Sequence, residues 1–181
     1  MAGVSWDDKI IAEEQMSLRM EWEGEAETPQ LLERALIDRF RSANELLAQG
    51  EWDVAIYQYG YVAEMVLKTA YFRVIGNNPA DPVAAMLRPA RNAGNRLSLG
   101  IPDENYHSLR FWSELLRAER RQQNRPLPSV IEMYLIAYTR DLYLNWMVEM
   151  RYHPNRATRP EAVDVAEAAD WLFNNRAELG R

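Results

Sequence analysis

One long apolar stretch, residues 51–75, constrains the fold of this chain more than any other feature. It reads EWDVAIYQYGYVAEMVLKTAYFRVI, with no internal proline and a single glycine. Helix breakers stand on both sides, Gly50 before it and a Gly-Asn-Asn-Pro run at 76–79 after it. A helix formed by these residues has apolar side chains on almost all sides, so it must be buried on several sides. The stretch therefore predicts the central helix of an all-α domain.

The few polar residues of this helix have two interpretations. Glu64 and Lys68 stand four residues apart, acid before base, which is a favourable pairing on one helix face. They are either a buried polar link in the bundle or an ordinary, partly exposed ion pair. Gly60 and Ala63 lie on or beside the same face, where small residues allow another helix to cross closely. We therefore expect this face to be crowded.

The rest of the chain predicts a bundle of about five main helices, with no competing β-strand pattern. Thr28-Pro29 is a strong helix start, and the short joint at Gly50 predicts an antiparallel hairpin with the central helix. Further helices are predicted at residues 103–123, at residues 129–151, and from Thr158 to about Glu178. The last two are opened by capping boxes, Ser129 to Glu132 and Thr158 to Glu161. Residues 76–100 are predicted to be mostly loop, with one or two helical turns that end at Pro89.

One helical domain is predicted at 28–181, preceded by an acidic N-terminal arm at 1–27. Residues 1–30 contain eight acids and two bases, so this segment holds the whole net charge of −6. Residues 5–21 can form an amphipathic helix capped by Ser5. Residues 88–125 hold eight arginines and four acids, and Arg117, Arg120 and Arg121 are the candidate anion-binding residues there.

Composition excludes several classes of site. The chain has no cysteine, which rules out disulfides, thiolate catalysis and cysteine-ligated metals. The N-terminus carries acids where a signal peptide has bases, and no apolar run reaches the ~18 residues of a membrane span. We therefore expect a cytoplasmic protein without membrane contact, metal or cofactor.

A family resemblance follows from two segments. The first has the order Gly50, Trp52, Asp53, Ala55, then Ala63, Glu64, Leu67 and Lys68, and the second is WMVEMRYHP at 146–154. Together they resemble the HEPN domain, over roughly residues 30–178. The resemblance implies a helical bundle that forms homodimers, often paired with a nucleotidyltransferase in toxin–antitoxin or defence systems. It also implies RNA or nucleotide as a candidate ligand.

The RNA-cleaving members of that family use an arginine followed, after four to six residues, by a histidine. The chain has two histidines, His107 and His153. The residues five to seven positions earlier are Pro102, Ile101 and Gly100 for the first, and Val148, Met147 and Trp146 for the second. The nuclease motif is therefore absent, which argues against an enzyme.

The alternative is a divergent site at Arg151, Tyr152 and His153, with histidine as acid or base and arginine on a phosphate. Because Pro154 follows directly, capping and packing at a helix C-terminus is the favoured role for this group. His107 is predicted to lie in the first turn of its helix as a surface or packing residue. Two separate histidines without an acidic cluster do not predict a metal site.

Three functions follow as expectations. The first is a non-catalytic interaction module, the second an RNase with a divergent arginine–histidine site, and the third a helical scaffold unrelated to RNA. The central helix and the helix at 129–151 carry more aromatic residues than one small core can hold. We expect some to face outward and to form a homodimer interface, unless the N-terminal arm covers them.

Overall fold

The all-α prediction is confirmed. A computed structural model describes residues 26–99, 106–152 and 156–181, and in these ranges the chain is helical without a strand. The α-helices are α1 Pro29–Gln49, α2 Trp52–Val74, α3 Val83–Arg96, α4 Leu109–Gln122, α5 Ser129–Asn145 and α6 Arg159–Leu179, with a 3-10 helix at Val148–Tyr152. The predicted arm helix at 5–21 and residue His153 lie outside the described residues.

Helix α2 is the centre of the bundle, as its composition predicts. It packs against α1, α4, α5 and α6, while α3 packs against α4 and α5 packs against α4 and α6. From Val62 to Phe72 every residue of α2 is buried. Burial of this many large side chains on one helix makes α2 the element on which the others assemble.

Helix ends follow local sequence signals at most of the predicted positions. The Thr28 hydroxyl accepts a hydrogen bond from the Leu31 amide at 3.2 Å, and Gly50 closes α1 in the left-handed conformation at φ 82°. Both hydrogen bonds of the Thr158–Glu161 capping box are present.

The predicted capping box of α5 is wrong. Helix α5 begins after Pro128 without a side-chain cap, and the Glu132 carboxylate binds the arginines of α4 instead. Charged partners on a neighbouring helix draw Glu132 away from its own backbone.

Helix α3 is longer than predicted because it continues through Pro89 to Arg96. A proline inside a helix removes one backbone hydrogen bond and costs about 3 kcal/mol. The buried residues Met86, Ala90 and Ala93 offset this cost, since they hold both halves of α3 against the core. Local propensity is overridden here by packing.

Helix α5 ends at Asn145, whereas the predicted helix continues to about residue 151. Trp146 is extended, at φ −128° and ψ 135°, and its buried indole donates a hydrogen bond to the Tyr57 carbonyl at 3.2 Å. The chain then turns into the 3-10 helix. The indole therefore lies against α2, in a place that a continuous α5 would not give it.

Candidate functional site

A buried carboxylate on α2 contacts a lysine of the same helix and a histidine from a distant part of the chain. Glu64 Oε1 accepts a hydrogen bond from Lys68 Nζ at 2.6 Å, and Glu64 Oε2 lies 2.8 Å from Nδ1 of His107. The side chain of Glu64 is 5% exposed and that of Lys68 is 11% exposed, whereas the imidazole of His107 is 46% exposed. The cluster thus runs from the core to the surface.

The turn before α4 places His107 over this carboxylate. Ser108 caps α4 by accepting from the Phe111 amide at 3.2 Å, so His107 precedes the helix rather than lying in its first turn as predicted. The Trp112 indole donates to the Tyr106 carbonyl at 2.8 Å and ties the same turn to the core. Lys68 Nζ lies 5.5 Å from the centre of the Trp112 ring, within cation–π range.

Aromatic rings border the cluster on the α2 side. The ring of Tyr61 lies 6.2 Å from the imidazole of His107 and 5.5 Å from the indole of Trp146. The hydroxyls of Tyr57 and Tyr61 are 3.2 Å apart, and the Arg39 guanidinium lies 5.4 Å from the Tyr61 ring centre. The rings of Tyr61 and Trp146 and the two tyrosine hydroxyls therefore bring both apolar and polar groups next to the cluster.

The arrangement can orient an imidazole. A carboxylate at Nδ1 fixes the ring position and favours the tautomer with the proton on that nitrogen, which is how histidine is set up as an acid or base. Lys68 reduces the negative charge that Glu64 offers to His107. Among the described residues, no group of three or more histidine, aspartate or glutamate side chains could hold a metal ion.

The structure places Arg120 apart from the other two candidate anion-binding arginines, Arg117 and Arg121. Arg117 Nε donates to Glu132 Oε1 at 2.8 Å, and Arg121 binds the same carboxylate. Arg120 is buried and donates to the carbonyls of Glu178 at 3.4 Å and Leu179 at 3.2 Å. Burial lowers the pKa of Arg120 from its ordinary value. The three guanidinium groups do not share one surface, so geometry gives no support to a common anion site.

The divergent site predicted at Arg151, Tyr152 and His153 stays a prediction. Arg151 and Tyr152 belong to the 3-10 helix, and His153 falls outside the described residues. Sequence reasoning missed the contact between His107 and Glu64, which are 43 residues apart. The signal that could have found it is the isolated polar pair within the apolar run of α2, which needs a third polar partner when buried.

A second feature is the outward face of α5, made of Val130, Met133, Ala137 and Leu144. These residues recur at helical spacing, opposite the buried Leu135, Thr139 and Leu142. Leu144 is 65% exposed, and Val130 and Met133 are each more than half exposed, as is Met147 just beyond the helix. The expectation that aromatic residues also face outward is confirmed for Tyr134 and Tyr143. We call the four helical residues the α5 outer face.

Comparison of the chain with protein-family models, curated proteins and solved structures found no match. Within the part of the chain that the structure describes, the helices are too short or too polar to traverse a lipid bilayer.

Proposed function

We propose that this protein is a non-catalytic, HEPN-like interaction module that pairs with a second copy of itself through the α5 outer face. The observation that carries the proposal is the exposure of Val130, Met133 and Leu144 on one side of one helix. Contiguous exposed apolar surface is costly in water and usually marks an interface.

A second copy is the proposed occupant because one straight helix face can be self-complementary. In a two-fold pair each residue contacts its counterpart's neighbours, so an apolar stripe on one helix face is sufficient, even though the exposed Arg140 and Asp141 interrupt it between Ala137 and Leu144. Two-fold dimers are the commonest closed oligomers of soluble proteins. The resemblance of residues 50–68 to HEPN proteins supports the same assembly, and it is the basis for proposing a nucleotidyltransferase partner in a toxin–antitoxin or defence system.

The competing occupant is the acidic N-terminal arm of the same chain. Light scattering coupled to size exclusion separates the two, on the full chain and on a variant that begins at Glu27. We expect a dimer in both. A full-length monomer that associates only after truncation would identify the arm as an intramolecular cover and remove the pairing proposal.

Point variants locate the interface. We expect Met133→Glu and Leu144→Glu to convert the dimer to a monomer, because each places a charge within the apolar stripe. Ile37→Glu is the matched control, since Ile37 is a 48% exposed apolar residue on α1. A dimer that survives both α5 variants would place the interface elsewhere.

RNA cleavage is the second candidate function, and the 2.8 Å contact between His107 and Glu64 is the observation that favours it. The carboxylate would hold the imidazole while it transfers a proton, and nucleotide or RNA would be the substrate. The purified protein is incubated with RNA beside His107→Ala, Glu64→Gln and His153→Ala variants. We expect no cleavage. Reproducible cleavage lost in His107→Ala, or in His153→Ala for the divergent site, would replace the non-catalytic proposal.

A further inference from the structure

An open groove of about 350 Å³ runs between helices α4 and α5, beside the α5 outer face. Its volume lies near the lower end of the range for small-molecule pockets, about 300–1,000 Å³. Ile136, Tyr143 and Leu144 supply apolar wall surface, and the half-exposed ring of Tyr143 offers a flat aromatic face. The groove is thus suited to the apolar body of a small ligand.

Thr139 belongs to the lining of this groove, and its hydroxyl is buried without a hydrogen-bond partner among the described residues. Thr139 is 4% exposed, and its Oγ1 has no partner among the described residues. A threonine inside a helix usually donates to a carbonyl three or four residues earlier. Thr69 of α2 does so, at 2.8 Å to the Met65 carbonyl and 3.1 Å to the Val66 carbonyl. Because a buried unpaired hydroxyl costs free energy, Thr139 indicates a missing polar partner.

Three arginines are part of the lining of the same groove. Arg110, Arg117 and Arg140 line it, together with one acid, Glu114. Arg110 and Arg117 each use Nε on a neighbouring carboxylate, Glu114 and Glu132 respectively, both at 2.8 Å. Arg140 is exposed and has no ion pair within residues 26–99, 106–152 and 156–181. The lining therefore favours an anion, with Arg140 as the guanidinium that is not already engaged.

We infer that the α4–α5 groove binds a small amphipathic anion, with its apolar body against Tyr143 and its phosphate or carboxylate at Arg140. On binding, the Thr139 side chain turns its buried hydroxyl toward the groove, where it donates to a polar atom of the same ligand. This binding site goes beyond the proposed self-association and does not depend on it, although Leu144 borders both surfaces.

Isothermal titration calorimetry on the full-length protein tests the inference with 1-naphthyl phosphate as the probe. We expect saturable one-site binding, and weaker or absent binding of 1-naphthol and of inorganic phosphate, which carry only the body or only the charge. Octanoate serves as a second anion and distinguishes an aliphatic from an aromatic body. If 1-naphthol binds with the same affinity as 1-naphthyl phosphate, the charge plays no role in binding. If inorganic phosphate binds with that affinity, the apolar wall plays none.

Variants assign the binding to this groove. We expect Arg140→Gln to weaken binding about tenfold and Thr139→Val about fivefold, while Arg34→Gln, an exposed arginine of α1, leaves it unchanged. Thr139→Val should also raise the melting temperature of the free protein, because it removes the unpaired hydroxyl. Unchanged probe affinity in Thr139→Val would mean that the hydroxyl stays buried and does not contact the ligand, and the inference would fall.

A last control separates this site from the proposed dimer interface. Met133 lies on the α5 outer face and does not line the groove, so Met133→Glu should bind 1-naphthyl phosphate with the affinity of the unmodified protein. Loss of binding in Met133→Glu would show that the probe occupies the apolar face and not the groove. If Met133→Glu retains binding of the probe but changes its oligomeric state, the probe binds in the groove and Met133 belongs to the dimer interface.

Discussion

The indole of Trp146 occupies the space above Gly60 where any other residue would carry a Cβ atom. A Cβ placed on Gly60 would lie 2.1 Å from the indole atoms Cδ1 and Nε1. The indole is held there by its hydrogen bond to the Tyr57 carbonyl at 3.2 Å. Gly60 is therefore needed for a close approach, as the crowded face of α2 predicts, although the neighbour is a single indole rather than a crossing helix.

We expect Gly60→Leu to destabilise the protein by about 1–3 kcal/mol through overpacking, and Gly60→Ala to destabilise it as well. Alanine is the better helix former by about 1 kcal/mol, so a net loss with alanine would isolate the steric conflict. Urea unfolding measures the change. The Gly60→Ala, Trp146→Leu double variant should lose less stability than the sum of the single changes. Additive losses would show that the two residues do not compete for the same space.

We expect Lys68→Met to cost about 3 kcal/mol of unfolding free energy, because it leaves the buried Glu64 carboxylate with His107 as its remaining partner. Replacing both residues, as Glu64→Gln with Lys68→Met, should cost less than Lys68→Met alone. Chemical denaturation of the full double-mutant cycle gives the coupling between them. A loss below about 1 kcal/mol for Lys68→Met would match an exposed ion pair instead.

Alkaline pH should destabilise the fold through Tyr71. Burial raises the pKa of Tyr71 from 10.0 to about 12, and the Glu119 carboxylate adds to the shift. The unfolded chain then loses this proton before the folded protein does, so the stability that Tyr71 confers is complete below pH 10 and falls as pH rises toward 12. One such group contributes a slope of about 1.4 kcal/mol per pH unit in that window.

Unfolding free energies measured between pH 9 and pH 12 check this expectation. Tyr71→Phe should reduce the slope, whereas Tyr143→Phe, at an exposed tyrosine of α5, should retain it. Equal slopes in all three proteins would mean that Tyr71 titrates alike in the folded and unfolded states.

Two hydroxyl residues at helix starts should differ in their effect on stability. Thr28→Ala removes the hydrogen bond to the Leu31 amide and should cost about 1 kcal/mol. Ser129→Ala should be nearly neutral, because α5 has no side-chain cap. Thermal unfolding of both variants measures the two losses of stability. A larger loss for Ser129→Ala than for Thr28→Ala would contradict the assignment of the α5 start.

The fold could be predicted where its signals are local. Thr28, Gly50 and the Thr158–Glu161 box mark helix ends through hydrogen bonds between residues at most four positions apart. The site could be predicted only in part. Glu64 and Lys68 follow from helical spacing, but the spacing does not tell whether the pair is buried. His107 joins them through a turn whose position depends on Trp112 and the core.

The sequence by itself determined the all-α class, the central place of α2 and most helix starts, because composition, periodicity and capping act within a few residues along the chain. The tertiary structure decided that α3 passes through Pro89, that α5 ends at Asn145, and that His107 meets Glu64. Each of these depends on contacts between residues that are far apart in the chain. The tertiary structure also decided the orientation of α5, with Leu144 outward and Thr139 inward. Its sequence is apolar on both sides, and only packing against α4 and α6 selects the side that is buried.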